Sequence, residues 1–148
     1  MQPLACSTVI YTKDMRRVAE FYKRTLALVV LESEVDFILV GRSGLEITVV
    51  QVPEDIAKGI HIAMPPSRRE ETPIKGSFLV EDLERVHTEA AAAGGGTKPV
   101  VAAWRWRGQL HLDGYDPEGN VVQFRVLDAQ PVVAPHVPQP ASPASAHG

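Results

Sequence analysis

The chain has 148 residues, 45% of them hydrophobic, which is enough for one compact unit with a real core or for two small fused modules. Its formal net charge of −3 gives no electrostatic reason to expect binding to nucleic acid or to an anionic membrane. No apolar run approaches the roughly 20 residues that a membrane span needs, and residues 1–7 do not resemble a signal peptide, so we expect a cytoplasmic protein.

The single cysteine, Cys6, excludes an intramolecular disulfide and fits a reducing compartment. It stands near the start of the first predicted strand. A small residue at such a position is typical of core filling, and the alternative is a nucleophile. We therefore expect Cys6 to be buried.

The first half of the chain predicts a strand, a helix and three further strands. The helix begins after Asp14, whose carboxylate can accept hydrogen bonds from the free N–H groups of the opening turn. Its apolar residues share one face at helical spacing: Val18, Phe21, Tyr22 and Leu26. The strands are predicted at 5–12, 27–32, 35–41 and 44–51.

A connector rich in proline and charge follows, with a short helical turn predicted around residues 54–57. The second helix begins after Asp82. It ends at Gly94-Gly95-Gly96, because glycine readily adopts the left-handed conformation that closes a helix. The strands of this half are predicted at 76–81, 97–103, 107–113 and 120–127.

The two halves repeat one pattern. The segment DMRRV at residues 14–18 returns as DLERV at residues 82–86, each time after a strand-like run and before further strands. Two copies of a βαβββ unit predict an α+β fold with a cavity at or between the repeats. We expect a single domain over residues 1–128 and a disordered, proline- and alanine-rich tail over 129–148. The expected parts of the domain are repeat one at 4–52, a connector at 53–73 and repeat two at 74–128.

The turn Asp-Pro-Glu-Gly-Asn at residues 116–120 leads into the last predicted strand. Together with Asp14 and the Phe-Tyr pair at 21–22, it resembles the vicinal oxygen chelate superfamily, also called the glyoxalase/bleomycin-resistance/dioxygenase fold. The resemblance covers residues 4–128, with one departure at Ala27, where the family usually has glycine. It implies half-open, barrel-like curled sheets around a cavity formed within a chain or across a homodimer.

The resemblance also implies a divalent metal, which enzymes of that superfamily hold with His, Gln or Glu from the first and last strands of each unit. The corresponding positions here are Ser7, Glu46, Lys75 and Gln123. Serine is a weak ligand and a lysine ammonium repels a cation, so we expect this metal site to be lost. A metal bound through Glu46 and Gln123, or through His61 or His111, is the alternative.

Strand alternation predicts which side chains face the cavity. These are Ser7, Val9, Tyr11, Glu46, Thr48, Val50, Lys75, Ser77, Leu79, Val121, Gln123 and Arg125. The opposite parity is apolar and is expected under the helices: Ile10, Ile47, Val49, Phe78, Val122, Phe124 and Val126. Glu46 lies between apolar neighbours, so we expect it to be partly desolvated and paired with Lys75 or Arg125, as a structural ion pair or as a general base.

The segment Trp-Arg-Trp-Arg at residues 104–107 places both tryptophans on one side of a strand. They are interpreted either as a stacking surface for a planar ligand or as the cover of a sheet edge or dimer interface. Gln109, His111 and Asp113 share a face of the next strand. There His111 is either a polar ligand contact or an exposed strand residue.

These features favour a metal-independent protein that binds and sequesters an aromatic or amphipathic small molecule such as an antibiotic, as bleomycin-resistance members of the resembled superfamily do. The expected ligand-binding residues are Tyr11, Glu46, Trp104, Trp106, His111, Gln123 and Arg125, with no cofactor. The alternatives are a metal-dependent lyase, isomerase or dioxygenase, and a metal-free enzyme with Glu46 or His111 as general base. The alanine- and proline-rich composition is typical of a GC-rich bacterial coding sequence.

Overall fold

Strands and short helices follow one another in nearly the order that the sequence predicts. The computed structural model describes residues 5–128, and the predicted tail at 129–148 lies outside the described residues. The strands are β1 (Cys6–Thr12), β2 (Val29–Ser33), β3 (Phe37–Arg42), β4 (Leu45–Gln51), β5 (Gly76–Leu79), β6 (Gly96–Thr97), β7 (Trp104–Trp106), β8 (Gln109–Tyr115) and β9 (Val121–Leu127). The helices are α1 (Met15–Thr25), α2 (Glu54–Ala57) and α3 (Leu83–Ala92), with a 3-10 helix at Val100–Ala102. None of them, within residues 5–128, has the length and apolar character to span a membrane.

The strands form two sheets with equivalent strand orders. The first sheet runs β1-β4-β3-β2, and the second runs β5-β9-β8-β6 with β7 added beside β8. In each sheet the first strand is parallel to the last one, β1 to β4 and β5 to β9, and the other pairs are antiparallel. The predicted α+β class is therefore confirmed, and neither sheet closes into a barrel in the part of the chain that the structure describes.

Both long helices begin at an aspartate cap. The carboxylate of Asp14 accepts a hydrogen bond from the N–H of Arg17 at 3.3 Å. The carboxylate of Asp82 accepts two, from Glu84 at 2.9 Å and from Arg85 at 3.2 Å. These N–H groups have no partner within the helix, so the caps stabilise the first turn, and both predicted helix starts are confirmed.

The same two helices end differently. After α3 the chain passes through Gly94 with φ of 87°, whereas after α1 it passes through Ala27 with φ of 52°. In this left-handed region a Cβ atom is crowded by the following backbone, so glycine adopts it freely and alanine is strained. The departure of Ala27 from the resembled pattern thus falls on a position where glycine has a physical advantage.

One hydrophobic core joins the two halves of the chain. Residues predicted to lie under the helices are at most 1% exposed: Ile47, Val49, Val122 and Phe124. Three others predicted there are partly buried against this core: Ile10, Phe78 and Val126. Phe21 of α1 contacts Phe124 of β9, with ring centroids 6.4 Å apart, so the first helix packs against the second sheet as well as the first. The predicted parity of the strands is confirmed.

The turn between β8 and β9 holds the start of α1. Asp116 is fully buried and accepts a hydrogen bond from the hydroxyl of Tyr22 at 2.9 Å and others from Asn120. The carboxylate of Glu118 accepts from the backbone N–H groups of residues 13 and 14, both at 2.8 Å. Burial raises the pKa of Asp116, and burial together with the Asp116 charge raises the pKa of Tyr22. The residues that carry the resemblance therefore connect the repeats structurally.

Two expectations about local structure are wrong. A single strand over 97–103 does not form: only Gly96–Thr97 pairs with β8, and Pro99 then leads into the 3-10 helix Val100–Ala102. Proline has no N–H for a sheet ladder and a fixed φ, so the strand stops there. Cys6 is exposed rather than buried, because it occupies the first position of β1, beyond the buried part of the strand.

Candidate functional site

A short hairpin brings both tryptophans onto the second sheet. Strand β7 turns into β8 through residues 107 and 108, whose positive φ values of 54° and 74° suit a two-residue hairpin turn. Trp104 is paired with His111, and Trp106 is paired with Gln109. The prediction that the tryptophans lie on a strand is confirmed. The following strand starts later than predicted because the turn takes up its first two positions.

Cross-strand pairing collects polar and aromatic side chains on the free face of the second sheet. Besides the two tryptophan pairs, the register pairs His111 with Arg125, Asp113 with Gln123, and Gln123 with Ser77. Paired residues project to the same side of a sheet, and here that side is opposite to the core. We call this surface the polar face; its members are Lys75, Ser77, Trp104, Trp106, Gln109, His111, Asp113, Gln123 and Arg125.

The side chain of His111, on β8, packs against both tryptophans. Its ring is stacked on Trp104 with centroids 4.5 Å apart and planes 13° apart, and Trp106 lies 5.8 Å away. Only 3% of His111 is exposed, so its interpretation as an exposed strand residue is wrong. Burial lowers the pKa of His111 below 6.5, and the positive charge of Arg125 acts in the same direction. The imidazole is therefore neutral near neutral pH.

Asp113 is a buried carboxylate with hydrogen-bond partners on only one oxygen. Its Oδ1 accepts from Nζ of Lys75 at 3.0 Å and from Nε2 of Gln123 at 3.3 Å. Among the residues described, neither Oδ2 of Asp113 nor Nδ1 of His111 has a hydrogen-bond partner. A buried polar atom without a partner is rare and costs about 1–3 kcal/mol. These two atoms belong to residues two positions apart, whose side chains share one face of β8.

Arg125 is fixed by neutral acceptors. Its Nε donates to Oγ of Ser77 at 2.9 Å, and its Nη1 donates to Oε1 of Gln109 at 3.0 Å. No carboxylate within residues 5–128 lies at ion-pair distance from its guanidinium. Because Lys75 and Asp113 neutralise each other, the polar face carries the uncompensated positive charge of Arg125.

The other two predicted ligand-binding residues, Tyr11 and Glu46, lie on the first sheet. Tyr11 is 72% exposed, and Glu46 is exposed as well. The predicted desolvation of Glu46 is therefore wrong, since a carboxylate on an open sheet face keeps its hydration and needs no ion-pair partner. Of the partners expected for it, Lys75 binds Asp113 and Arg125 binds neutral groups of the second sheet.

The four positions that the resemblance assigns to a metal do not form a donor set. Ser7 and Glu46 are paired across β1 and β4, and both are exposed. On the second sheet, Lys75 contributes an ammonium group that forms an ion pair, and the Gln123 Oε1 accepts from Ser77 at 2.6 Å. The register pairs Gln123 with Ser77 just as it pairs Glu46 with Ser7, so the expectation of Lys75 at the third position is wrong and Ser77 occupies it. Serine is a weak ligand and the Lys75 ammonium lies nearby, so these residues do not fit a divalent ion. Nor does any group of three or more His, Cys, Asp and Glu side chains in residues 5–128 have the arrangement to hold a metal.

Two surface grooves lie beside the sheets rather than over the tryptophans. One of about 410 Å³ lies between β1 and the segment that leads into β5, and Tyr11, Ile74 and Val121 line it. A second of about 450 Å³ lies where α1 ends near β5. Val121 precedes Gln123 by one alternation of β9, so the first groove adjoins the polar face at that end. Trp104 lines neither groove.

Sequence reasoning placed Asp113 on the strand face of His111 but did not find its burial or its partner. The partner, Lys75, was expected at a metal position. Alternation along β8 indicates that Asp113 projects to the same face as His111. It does not indicate which residues cover that face. His61, the other histidine considered for a metal, is exposed.

Comparisons with known proteins identify a family. A family model described as a glyoxalase-like domain matches residues 7–126. A search of curated proteins found no match. Among solved structures, the chain is similar to a glyoxalase/bleomycin resistance protein/dioxygenase family enzyme from Burkholderia phytofirmans PsJN. That pair has 18% identity and a TM-score of 0.60, over 82% of this chain and 96% of the other.

Two further solved structures show the same fold. A glyoxalase-related enzyme from Fulvimarina pelagi has 18% identity and a TM-score of 0.57, over 94% of this chain and 98% of the other. The fosfomycin resistance protein FosX from Mesorhizobium loti has 12% identity and a TM-score of 0.57, over 85% of this chain and 92% of the other. At these identities the likeness concerns the fold alone.

Proposed function

The chain belongs to the glyoxalase-like domain family of the glyoxalase/bleomycin-resistance/dioxygenase, or vicinal oxygen chelate, superfamily, and from this premise we propose that it binds and sequesters a small molecule. The proposed ligand is aromatic or amphipathic and lies against the polar face without a divalent metal. The proposed contacts are Trp104, Trp106, His111, Gln123 and Arg125.

One observation carries this proposal: a stacked Trp104–His111 pair stands beside two buried polar atoms that have no partner. Aromatic rings supply contact area and stacking for a planar molecule, and a few polar groups fix its orientation. A surface that only covered a sheet edge would gain nothing from a buried, half-satisfied carboxylate such as Asp113. The combination favours binding over a purely structural role.

The first sheet contributes to the proposed site through a second surface. Tyr11 and Glu46 are exposed on it, and Tyr11 lines the groove that adjoins the polar face. We propose that the two surfaces enclose the ligand together, within one chain or across a homodimer. A partner copy would bury apolar side chains on this sheet that are about half exposed or more, such as Val9 and Leu31.

The names of the structural neighbours support a connection with drug resistance. FosX is a fosfomycin resistance protein, and two others, from Albidiferax ferrireducens T118 and Catenulispora acidiphila DSM 44928, are glyoxalase/bleomycin resistance proteins. We therefore propose an antibiotic or a similar xenobiotic as the bound molecule.

Tryptophan fluorescence tests the proposal directly. The chain has two tryptophans, Trp104 and Trp106, so its tryptophan emission reports on the polar face alone. Titration with a panel of planar aromatic antibiotics should give saturable quenching or a spectral shift with at least one member. Replacing Trp104 by Leu should weaken that binding about tenfold, since stacking contributes about 0.5–1.5 kcal/mol beyond buried area. The control Ile56→Ala removes an exposed apolar side chain of α2 that lines neither groove, and it should leave the affinity unchanged.

Two outcomes would contradict the proposal. Absence of a saturable response across the whole panel would remove ligand binding at this face. A stoichiometric divalent ion in protein purified without chelators would contradict the proposal that the ligand binds without a metal, and it would favour a metal-dependent enzyme.

A metal-free enzyme is the second candidate, and one observation favours His111 over Glu46 as its base. His111 is neutral near neutral pH and has an unpartnered Nδ1, whereas Glu46 is exposed. Chromatography of each titrated compound after incubation with the protein distinguishes the two functions. Conversion that disappears in His111→Gln, while binding persists, supports catalysis.

A further inference from the structure

We propose that the ligand of the polar face is a planar organic anion whose charged group is bound by Arg125. This inference rests on the proposed function and names the class of molecule: an aromatic or polycyclic carboxylate, sulfonate or phosphonate. Arg125 is then the residue that determines specificity for charge.

The charges of the polar face favour an anionic ligand. The carboxylate of Asp113 is 3% exposed and is already bound by Lys75 at 3.0 Å. With His111 neutral, the positive charge of Arg125 is the one that no charge of the face compensates. Near the tryptophans, the guanidinium of Arg107 lies 5.5 Å from the Trp106 ring centroid and adds positive potential. A cationic ligand would meet repulsion here, and an anionic one would be attracted.

The guanidinium of Arg125 is held in place and still has N–H donors available for an anion. Its half-buried guanidinium is held by Ser77 and Gln109, so its orientation is set before a ligand arrives. A guanidinium has five N–H donors, and these two short hydrogen bonds use one on Nε and one on Nη1. A third contact, from Nη2 to the Ser77 carbonyl, is long at 3.5 Å. Donors on both terminal nitrogens are left for the oxygens of an anion.

The strand register sets the length that the ligand must have to reach from Trp104 to Arg125. Trp104 is paired with His111, and His111 is paired with Arg125, across β7, β8 and β9. Two strand spacings, about 10 Å in all, separate the outer backbones. A molecule that stacks near Trp104 and reaches Arg125 with its charged group is therefore larger than one ring. A bicyclic aryl carboxylate fits that span.

Isothermal titration calorimetry with two matched probes tests the inference. 2-Naphthoate carries the anion, and 2-naphthamide has the same shape without charge. The full-length protein should bind 2-naphthoate at least about tenfold more tightly than 2-naphthamide, because a charge-assisted hydrogen bond is about twice as strong as a neutral one. The affinity for 2-naphthoate should fall as salt is raised, and that for the amide should not.

Two variants assign the preference to Arg125. Arg125→Gln should reduce 2-naphthoate binding to the level of the amide, and Arg125→Lys should restore part of the difference, since it keeps the charge without the planar fork. The control Arg16→Gln removes the same charge from an exposed position of α1 and should leave both affinities unchanged. Thermal unfolding of each variant confirms that it is folded.

The outcomes separate this inference from the proposed function. Equal binding of both probes, unchanged in Arg125→Gln, overturns the inference while the face remains a binding site. Binding of neither probe also overturns it, and the antibiotic panel followed by tryptophan fluorescence then decides separately whether the face binds ligands. If Arg125→Gln still binds 2-naphthoate tenfold more tightly than 2-naphthamide, another cation binds the carboxylate. That result overturns the role of Arg125.

Discussion

The free faces of the two sheets differ, although the sheets have equivalent strand orders. On the first sheet the free face is open: Val9 is 52% exposed and Tyr11 is 72% exposed. On the second sheet, His111 and Asp113 are each 3% exposed: His111 is stacked on Trp104, and Asp113 is bound by Lys75 and Gln123. The extra strand β7 produces much of this difference, because it places Trp104 over His111.

A repeated backbone therefore does not imply repeated chemistry on the free faces of the sheets. The core side of each sheet must be apolar because helices pack on it, and Ile47 and Phe124 are equally buried there. The free side has no such requirement, so its residues are set by whatever the face contacts. Function is therefore to be sought where the repeats diverge.

The largest expected effect tests whether the polar network is truly buried. Lys75→Met removes the partner of a carboxylate that is 3% exposed and should lower the free energy of unfolding by about 3 kcal/mol. Asp113→Asn should cost less, because the Lys75 side chain is 17% exposed and can turn to water. On the first sheet, Glu46→Gln should stay within about 0.5 kcal/mol of the parent.

Urea unfolding followed by circular dichroism measures all three variants. Equal losses of unfolding free energy in Lys75→Met and Glu46→Gln would show that the two free faces do not differ in burial, which contradicts the contrast drawn between them.

A smaller effect comes from the same substitution at two tyrosines. Tyr22→Phe removes the hydroxyl that donates to buried Asp116 at 2.9 Å and should cost about 1.5 kcal/mol, the lower end of the range for a hydrogen bond to a charged group. Tyr11→Phe, at an exposed position, should change stability by less than about 0.5 kcal/mol. Thermal unfolding of the pair provides the measurement, and a large loss at Tyr11 would mean that its face is covered in solution.

The helix ends of the two repeats predict changes of opposite sign. Ala27→Gly should stabilise the protein by about 0.5 kcal/mol, because relief of the left-handed strain exceeds the entropy that glycine adds to the unfolded chain. Gly94→Ala should destabilise it by about 1 kcal/mol, because alanine is strained at a φ of 87°; the flexible end of Arg17, 2.8 Å from the new Cβ, would only have to move aside. Chemical denaturation of both variants checks the signs, and equal signs would contradict the assignment of strain.

The smallest expected effect is a shallow dependence of stability on pH. The folded-state pKa of His111 lies below 6.5, so the unfolded chain binds more protons between the two values. The stability linked to neutral His111 is therefore complete above about pH 6.5 and is lost as the pH falls through the lower folded-state pKa.

Unfolding measured at a series of pH values, with His111→Gln beside the parent, tests this linkage. The variant should lose the part of the pH dependence that lies below about 6.5. An unchanged profile in His111→Gln would show that the buried imidazole titrates as it does in the unfolded chain.

Much of the fold could be predicted because local rules decide it. Asp14 and Asp82 begin helices through their own carboxylates, and strand alternation separates Phe124 from Gln123 without reference to other elements. For the candidate site, alternation predicted that Trp104 and Trp106 lie on one side of a strand and that Gln109, His111 and Asp113 share a face of the next strand. Burial of Asp113 and exposure of Glu46 were not predicted, since both depend on what packs nearby. The failure of strand 97–103 follows from Pro99, a local signal that the strand prediction did not take into account.

Residue spacing and interactions between close neighbours in the chain were sufficient to predict the repeat, the helix starts, the apolar sides of the strands and the family. Tertiary structure alone decided that Lys75 meets Asp113, that Trp104 covers His111 and that Arg125 has no carboxylate partner in the part of the chain described. Burial and charge pairing arise between residues that are distant in the chain, and strand register is what brings them within reach of one another.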